Sequence, residues 1–175
     1  LAFGLHPDCR HYPDKLSLGE CIDKAAGWGF TALQIDPVHL EDDSSSYGAM
    51  LKKRAEDAGI KLELGVGGFD AEHVLNKLRF AEAIDAEFIR IFADTGARET
   101  DKTTLEESKK YIEENVKKVL PELEKRGITL GWENHGDFST DEQLAVLKNI
   151  DHPNFRSCLD IGNALVFIEQ PMDTV

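Results

Sequence analysis

The feature that most constrains this chain is a strand-loop-helix cycle whose strand starts recur about every thirty residues over most of its length. Phe3 to His6 reads as a first strand. Ser17 and Glu20 then have capping-box spacing ahead of the helical run Cys21-Ile22-Ala25-Ala26. A second strand, Phe30 to Asp36, leads through the polar loop Glu41 to Ser46 into a helix running through Met50-Leu51 to Ala58, which Gly59 closes. Lys61 to Val66 is the third strand, ended by Gly67-Gly68. Asp70 caps the next helix, with Val74, Leu75, Leu78, Ala81 and Ile84 at helical spacing. Phe88 to Ala93 is the fourth strand. The longest helix, from about Thr104 to Lys125, has an apolar stripe that includes Tyr111, Ile112 and Val116, and it holds Pro121, a residue that bends helices. Ile128 to Trp132 is the fifth strand. Ser139 and Glu142 repeat the capping spacing before a helix carrying Leu144, Val146 and Leu147, and Phe155 to Leu159 is the sixth strand. Such alternation builds a parallel sheet, because each helix carries the chain back to the start of the next strand.

Side-chain parity separates a barrel from an open doubly wound sheet. Central strands of an open sheet are covered by helices on both faces and are apolar on both. Here one parity set is apolar: Phe3, Leu33, Ile35, Leu62, Leu64, Ile89, Ile91, Leu130, Trp132, Phe155 and Leu159. The opposite set holds His6, Gln34, Asp36, Glu63, Arg90, Glu133, Cys158 and Asp160. Helices on one face and a polar interior on the other describe a TIM (β/α)8 barrel, with an α/β sandwich solvated on one face as the alternative. An eight-unit barrel takes roughly 250 residues, and the 175 residues show only six units. The expectation is therefore one barrel domain spanning residues 1–175, with strands seven and eight absent.

Charge narrows the partners. The 33 acidic and 20 basic side chains leave a net charge of −13, which speaks against a nucleic-acid backbone or an anionic membrane as the main partner, since both are bound through clustered Lys and Arg. Small neutral substrates and cations remain. Three cysteines without metal-ligand spacing suggest neither a disulfide framework nor a zinc knuckle, which fits a reducing, cytoplasmic setting. The sequence leaves homo-oligomer formation open.

The chemistry concentrates at two strand ends. Glu133, in Gly131-Trp132-Glu133-Asn134-His135-Gly136, ends the fifth strand, and Asp160, followed by Gly162-Asn163, ends the sixth. Each alone reads equally well as an acid that caps a loop. Together, two carboxylates at the same end of consecutive strands suit a divalent cation that prefers oxygen ligands. His6, Asp36 and Arg90 share the inward parity, and His135 shares that of Glu133. Arg90 suits a substrate oxygen or carboxylate, or an ion pair with Glu63 on the adjacent strand. The remaining histidines, His11, His39, His73 and His152, fall in loops or on helices and read as solvated. The glycine-rich Gly65-Val66-Gly67-Gly68 lacks the dinucleotide-binding fingerprint and reads as a strand-end turn.

With Glu133-Asn134-His135-Gly136, Leu159-Asp160-Ile161-Gly162-Asn163 and Ile89-Arg90-Ile91-Phe92 in view, the chain resembles the xylose isomerase-like TIM barrels, especially their sugar-phosphate isomerase and epimerase branch. The resemblance implies that Glu133 and Asp160 bind Mn²⁺, Mg²⁺ or Co²⁺, that Glu133 is also an acid/base carboxylate, and that a strand-seven His and a strand-eight Glu complete the site. Those last two have no counterpart in the 175 residues. The family's DNA-repair endonucleases place a His three residues after the strand-six Asp; Asn163 stands there instead, which with the negative charge speaks against a nuclease. Several epimerases also have a His at that position, and Asn163 departs from them too. The resemblance therefore implies an isomerase or epimerase acting on a sugar or sugar-like polyol through an enediolate, with His6, Asp36, Arg90, His135 and Asn163 as candidate substrate contacts. A lyase of the inosose or dehydroshikimate type, or a non-catalytic ligand-binding relative, are the alternatives.

Overall fold

The structure is a computed structural model describing residues 16–93, 104–170 and 172. The expected first strand, with His6, and His11 lie outside the described residues. The strands are β1 (Ala32–Ile35), β2 (Lys61–Gly67), β3 (Phe88–Phe92), β4 (Thr129–Glu133) and β5 (Phe155–Cys158). The helices are α1 (Leu18–Gly27), α2 (Ser45–Ala58), α3 (Ala71–Ala83), α4 (Leu105–Arg126) and α5 (Thr140–Ile150), with short 3-10 turns at Pro37–His39 and Asn163–Phe167.

The strands follow one another in the sheet in chain order, β1-β2-β3-β4-β5. β1 and β2, β3 and β4, and β4 and β5 pair in parallel. A doubly wound sheet reverses direction at a switch point; this order has no reversal, which is the winding of a barrel wall. The chain divides into two compact units, residues 1–65 with 77–87 and residues 66–76 with 88–175.

In the first unit, α1 opens with the expected capping box: the Ser17 N–H donates to Glu20 Oε2 at 2.8 Å and the Glu20 N–H to Ser17 Oγ at 3.3 Å. The Ser17 N–H first, and then the Ser17 hydroxyl, which also donates to Glu20 Oε2 at 2.8 Å, hold the Glu20 carboxyl below its ordinary range. Ile22 and Ala25 of α1, Leu51 and Ala55 of α2, and Ile35, Leu62 and Leu64 of the strands are buried. Register sets Leu33 beside Leu62 and Ile35 beside Leu64. On the opposite face Gln34 Nε2 donates to Glu63 Oε2 at 3.1 Å, so the polar parity set is a hydrogen-bonded one. β1 is shorter than expected. Asp36 leaves the strand because its carboxylate caps the following turn, accepting from the Val38 N–H at 3.2 Å. His39 is half-buried, not solvated.

In the second unit, Trp132 is the hub of the core, as its outward parity predicts. Its ring meets Phe69 edge-on at 5.4 Å and Phe138 edge-on at 5.3 Å, and stacks on Phe155 at 6.2 Å. Gln143 of α5 is buried because its Nε2 donates to the Trp132 carbonyl at 2.9 Å. Leu144, expected on the apolar stripe, is instead exposed, as is Tyr111 of α4. α4 opens with a second capping box, Thr104 and Glu107, and runs unbroken through Pro121 to Gly127, whose φ of +67° ends it. Its Asn115 is buried and used twice: Oδ1 accepts from the Ala71 N–H at 3.3 Å and Nδ2 donates to the Tyr111 carbonyl at 2.9 Å. His152 is also half-buried, its Nδ1 accepting from the Asn154 N–H at 3.2 Å.

Candidate functional site

The candidate site lies in the second unit, at the C-terminal ends of β3, β4 and β5. Parallel register places Arg90 beside Gly131, Gly131 beside Arg156, and Glu133 beside Cys158. Arg90, Glu133 and Cys158 therefore share one face, opposite Ile89, Ile91, Leu130, Trp132 and Phe155. Gly131 is required there. A Cβ on it would sit 2.3 Å from the Phe88 ring, which occupies the space between Arg90's strand and β5.

Arg90 Nη1 donates to Glu133 Oε2 in a charge-assisted ion pair. Both side chains are largely withdrawn from solvent, 15% and 10% exposed. An isolated buried carboxylate is costly, and the guanidinium offsets that cost. The sequence offered Glu63 as Arg90's ion partner; in this unit Arg90 pairs with Glu133, and in the first unit Glu63 accepts from Gln34. The guanidinium lies 5.1 Å from the centre of the Phe92 ring, close enough for the ring's negative face to attract it. The exposed His135 packs its ring against the same Phe92, with centres 5.0 Å apart. Gly67 makes room for that phenyl group, since a Cβ there would lie 3.3 Å from it. The glycine-rich turn at the end of β2 thus serves the packing of Phe92, and the Gly68 N–H donates to the Phe92 carbonyl at 2.9 Å.

Asn134 joins the two strand ends. Its Nδ2 donates to the Asp160 carbonyl at 2.8 Å and its Oδ1 accepts from the Asp160 N–H at 2.7 Å. One buried side chain thereby satisfies both backbone groups of the acid on the neighbouring loop. The sixth expected strand stops one residue early, at Cys158, leaving Leu159 and Asp160 exposed in the loop. Asp160 Oδ1 accepts from the Gly162 N–H at 2.8 Å, shaping the turn that Asn163 continues; the Asn163 N–H donates to the Asp160 carbonyl at 3.2 Å. A further buried carboxylate, Asp137, follows in the loop after β4.

Of the sequence candidates, Glu133, Arg90, His135, Asp160 and Asn163 fall in this unit, and Asp36 is a turn cap in the first. Sequence patterns did not single out Asn134, Phe92, Phe88 or Asp137. Asn134 carried the one available signal, an amide directly after a strand-end acid.

The donor chemistry suits a hard divalent cation as far as it goes: Glu133 and Asp160 offer carboxylate oxygens at the ends of adjacent strands. Among the described residues no group of three or more His, Cys, Asp or Glu side chains is gathered for a metal. No helix among the described residues is long and apolar enough to cross a membrane.

Residues 22–174 match the model of the xylose isomerase-like TIM barrel family. The chain is 34% identical over 164 residues to a 3-oxo-isoapionate decarboxylase of Pectobacterium atrosepticum, an alignment covering 93% of this chain and 57% of that protein. Among solved structures it resembles a D-psicose 3-epimerase with D-tagatose from Clostridium cellulolyticum H10, with a TM-score of 0.77 and 19% identity over 91% of this chain and 64% of that one. It also resembles a probable 3-DHS dehydratase from Bacillus anthracis, with a TM-score of 0.69 and 15% identity over 93% and 64%. The chain thus spans less than two thirds of the length of these relatives, and the likeness to the solved structures is one of fold. Strand order, one-faced polarity and the family match agree: the chain is α/β with the TIM-barrel fold, and it belongs to the xylose isomerase-like TIM barrel family.

Proposed function

We propose that the protein carrying this chain is a cytoplasmic, divalent-metal-dependent enzyme that forms an enediolate from a small sugar-like hydroxy-oxo compound and isomerises or epimerises it. The observation that carries this is Glu133: a carboxylate withdrawn from solvent at the end of a strand, paired with Arg90, one strand from the Asp160 loop. Glu133 and Asp160 would hold Mn²⁺, Mg²⁺ or Co²⁺, with a His and a Glu from a seventh and an eighth strand completing the set. Such an ion supplies polarisation of a carbonyl and a fixed orientation for adjacent oxygens.

The chain's own residues then act on the carbon. Glu133 takes the proton next to the carbonyl; the C–H electron pair moves into the new C=C bond and the carbonyl oxygen becomes an oxyanion. Return of a proton to the neighbouring carbon isomerises, and return to the opposite face epimerises. Asn134 holds the Asp160 loop against β4, and Phe92 keeps the Arg90 guanidinium in place beside the acid.

A second reading, a lyase, is favoured by the 34% match to a decarboxylase over 93% of the chain. There the bond that breaks is C–C: carbon dioxide leaves a 3-oxo acid, its electron pair enters the same kind of enolate, and a proton is added to the carbon.

Solvent deuterium exchange into a panel of ketoses with Mn²⁺ tests the first reading. Metal-dependent exchange is expected in the wild type and about a hundredfold less in Glu133→Gln. No exchange with any member overturns the isomerase. Loss of carbon dioxide or water from an oxo acid without reversible exchange assigns the lyase.

A further inference from the structure

We infer that Glu169 is a positioning residue of this site: its carboxylate, bound at the N-terminus of α5, holds in place the turn that carries Asp160 and Asn163. The inference deepens the proposed function and rests on it in one respect, that Asp160 is a ligand of the ion.

The turn after β5 has little apolar burial to hold it. Ala164 is buried, but Ile161, Leu165, Val166 and Ile168 are exposed. With so little surface withdrawn from water, hydrogen bonds decide where the segment lies. At its start Asn134 bonds both backbone groups of Asp160. At its end Glu169 reaches the first turn of α5: Oε1 accepts from the Thr140 N–H at 3.1 Å and Oε2 from the Thr140 hydroxyl at 2.6 Å. The capping box of this helix serves other groups, since Ser139 Oγ takes the Glu142 N–H at 3.4 Å and the Glu142 carboxylate takes the Ser139 N–H at 2.8 Å. The Thr140 N–H is one of the donors that a helix start leaves over, and Glu169 brings it an acceptor from 29 residues away. The helix dipole favours a carboxylate there as well.

Between these two fastenings the backbone is tied to itself. Asp160 Oδ1 takes the Gly162 N–H and the Asp160 carbonyl takes the Asn163 N–H, while the Glu169 N–H donates to the Ala164 carbonyl at 3.2 Å. Ile168 has a φ of +59°, a left-handed conformation that is costly for a β-branched residue and that the bonds of Glu169 offset. Releasing Glu169 therefore frees the far end of a short, internally bonded segment, and the Asp160 carboxylate moves with it.

Backbone amide hydrogen exchange on the protein carrying this chain tests this, because the Gly162 and Asn163 amides report on the Asp160 turn itself. In Glu169→Gln their exchange is expected to rise about tenfold while the amides of β4 keep their wild-type rates. Thr140→Val, which deletes only the hydroxyl's bond, should give a smaller rise, and Thr140→Ser none. Mn²⁺ affinity in Glu169→Gln should fall about threefold or more. Faster exchange confined to residues 140–143 would make Glu169 a helix cap and overturn the inference. Looser Gly162 and Asn163 amides with an unchanged Mn²⁺ affinity would overturn it too. A wild type that binds no Mn²⁺ would remove the proposed ion, and the exchange comparison would still decide whether Glu169 holds the turn. If Glu169→Gln fails to fold, the two Thr140 variants carry the comparison.

Discussion

At the scale of the residue, this site is held less by its acids than by an amide. Asn134 is buried, and both ends of its side chain are spent on the backbone of Asp160, at 2.8 and 2.7 Å. Removing it leaves the Asp160 N–H without its partner and the Asp160 carbonyl with only the Asn163 N–H, which costs about 1–3 kcal/mol. Asn134→Ala should therefore unfold at lower urea by that amount, with an unchanged m-value. Because the same bonds position a proposed metal ligand without touching the ion, Mn²⁺ affinity should also fall, by about tenfold or more. A variant that loses stability but binds Mn²⁺ like the wild type would make Asn134 a purely structural strut.

At the scale of the element, the face of β3, β4 and β5 that bears Arg90 and Glu133 depends on Phe88 filling the space a side chain at position 131 would take. Gly131→Ala puts a Cβ 2.3 Å from the Phe88 ring and 3.2 Å from Cys158 Cβ; overpacking of this kind costs about 1–3 kcal/mol. Phe88→Leu should rescue part of that loss in the double variant, and a double-mutant cycle in urea reads the coupling. Full additivity would mean that the ring is not what excludes the methyl group. Elements were legible in the sequence to different degrees for a physical reason. Helix ends are written locally: Ser17 with Glu20, Ser139 with Glu142, and glycines 59 and 127 all act within a few residues of themselves. Strand ends and buried polar partners depend on distant groups. Asp36 left its strand to cap a turn, the sixth expected strand stopped at Cys158, and Gln143 rather than Leu144 faced inward because it bonds the carbonyl of Trp132. Arg90 is the sharpest case: parity put it on the same face as Glu133, but their pairing needed the structure.

At the scale of the whole molecule, a net charge of −13 means that any cation stabilises this chain to some extent by screening its self-repulsion. Specific binding has a different signature, because a ligand that binds only the folded state raises its stability logarithmically once the site is filled. At a free concentration a hundred times Kd the gain is about 2.7 kcal/mol, equivalent to a Tm rise of roughly 5–10 °C for a chain of this size. Mn²⁺ added to EDTA-treated protein carrying this chain should produce such a rise, and excess EDTA should reverse it. NaCl at matched ionic strength should give only the screening part. Glu133→Gln removes one anionic ligand while keeping the side chain's shape, so its response to Mn²⁺ should shrink toward the NaCl response. If the variant and the wild type respond alike, the ion is bound elsewhere or only by the overall field, and the two strand-end acids are loop-shaping groups after all.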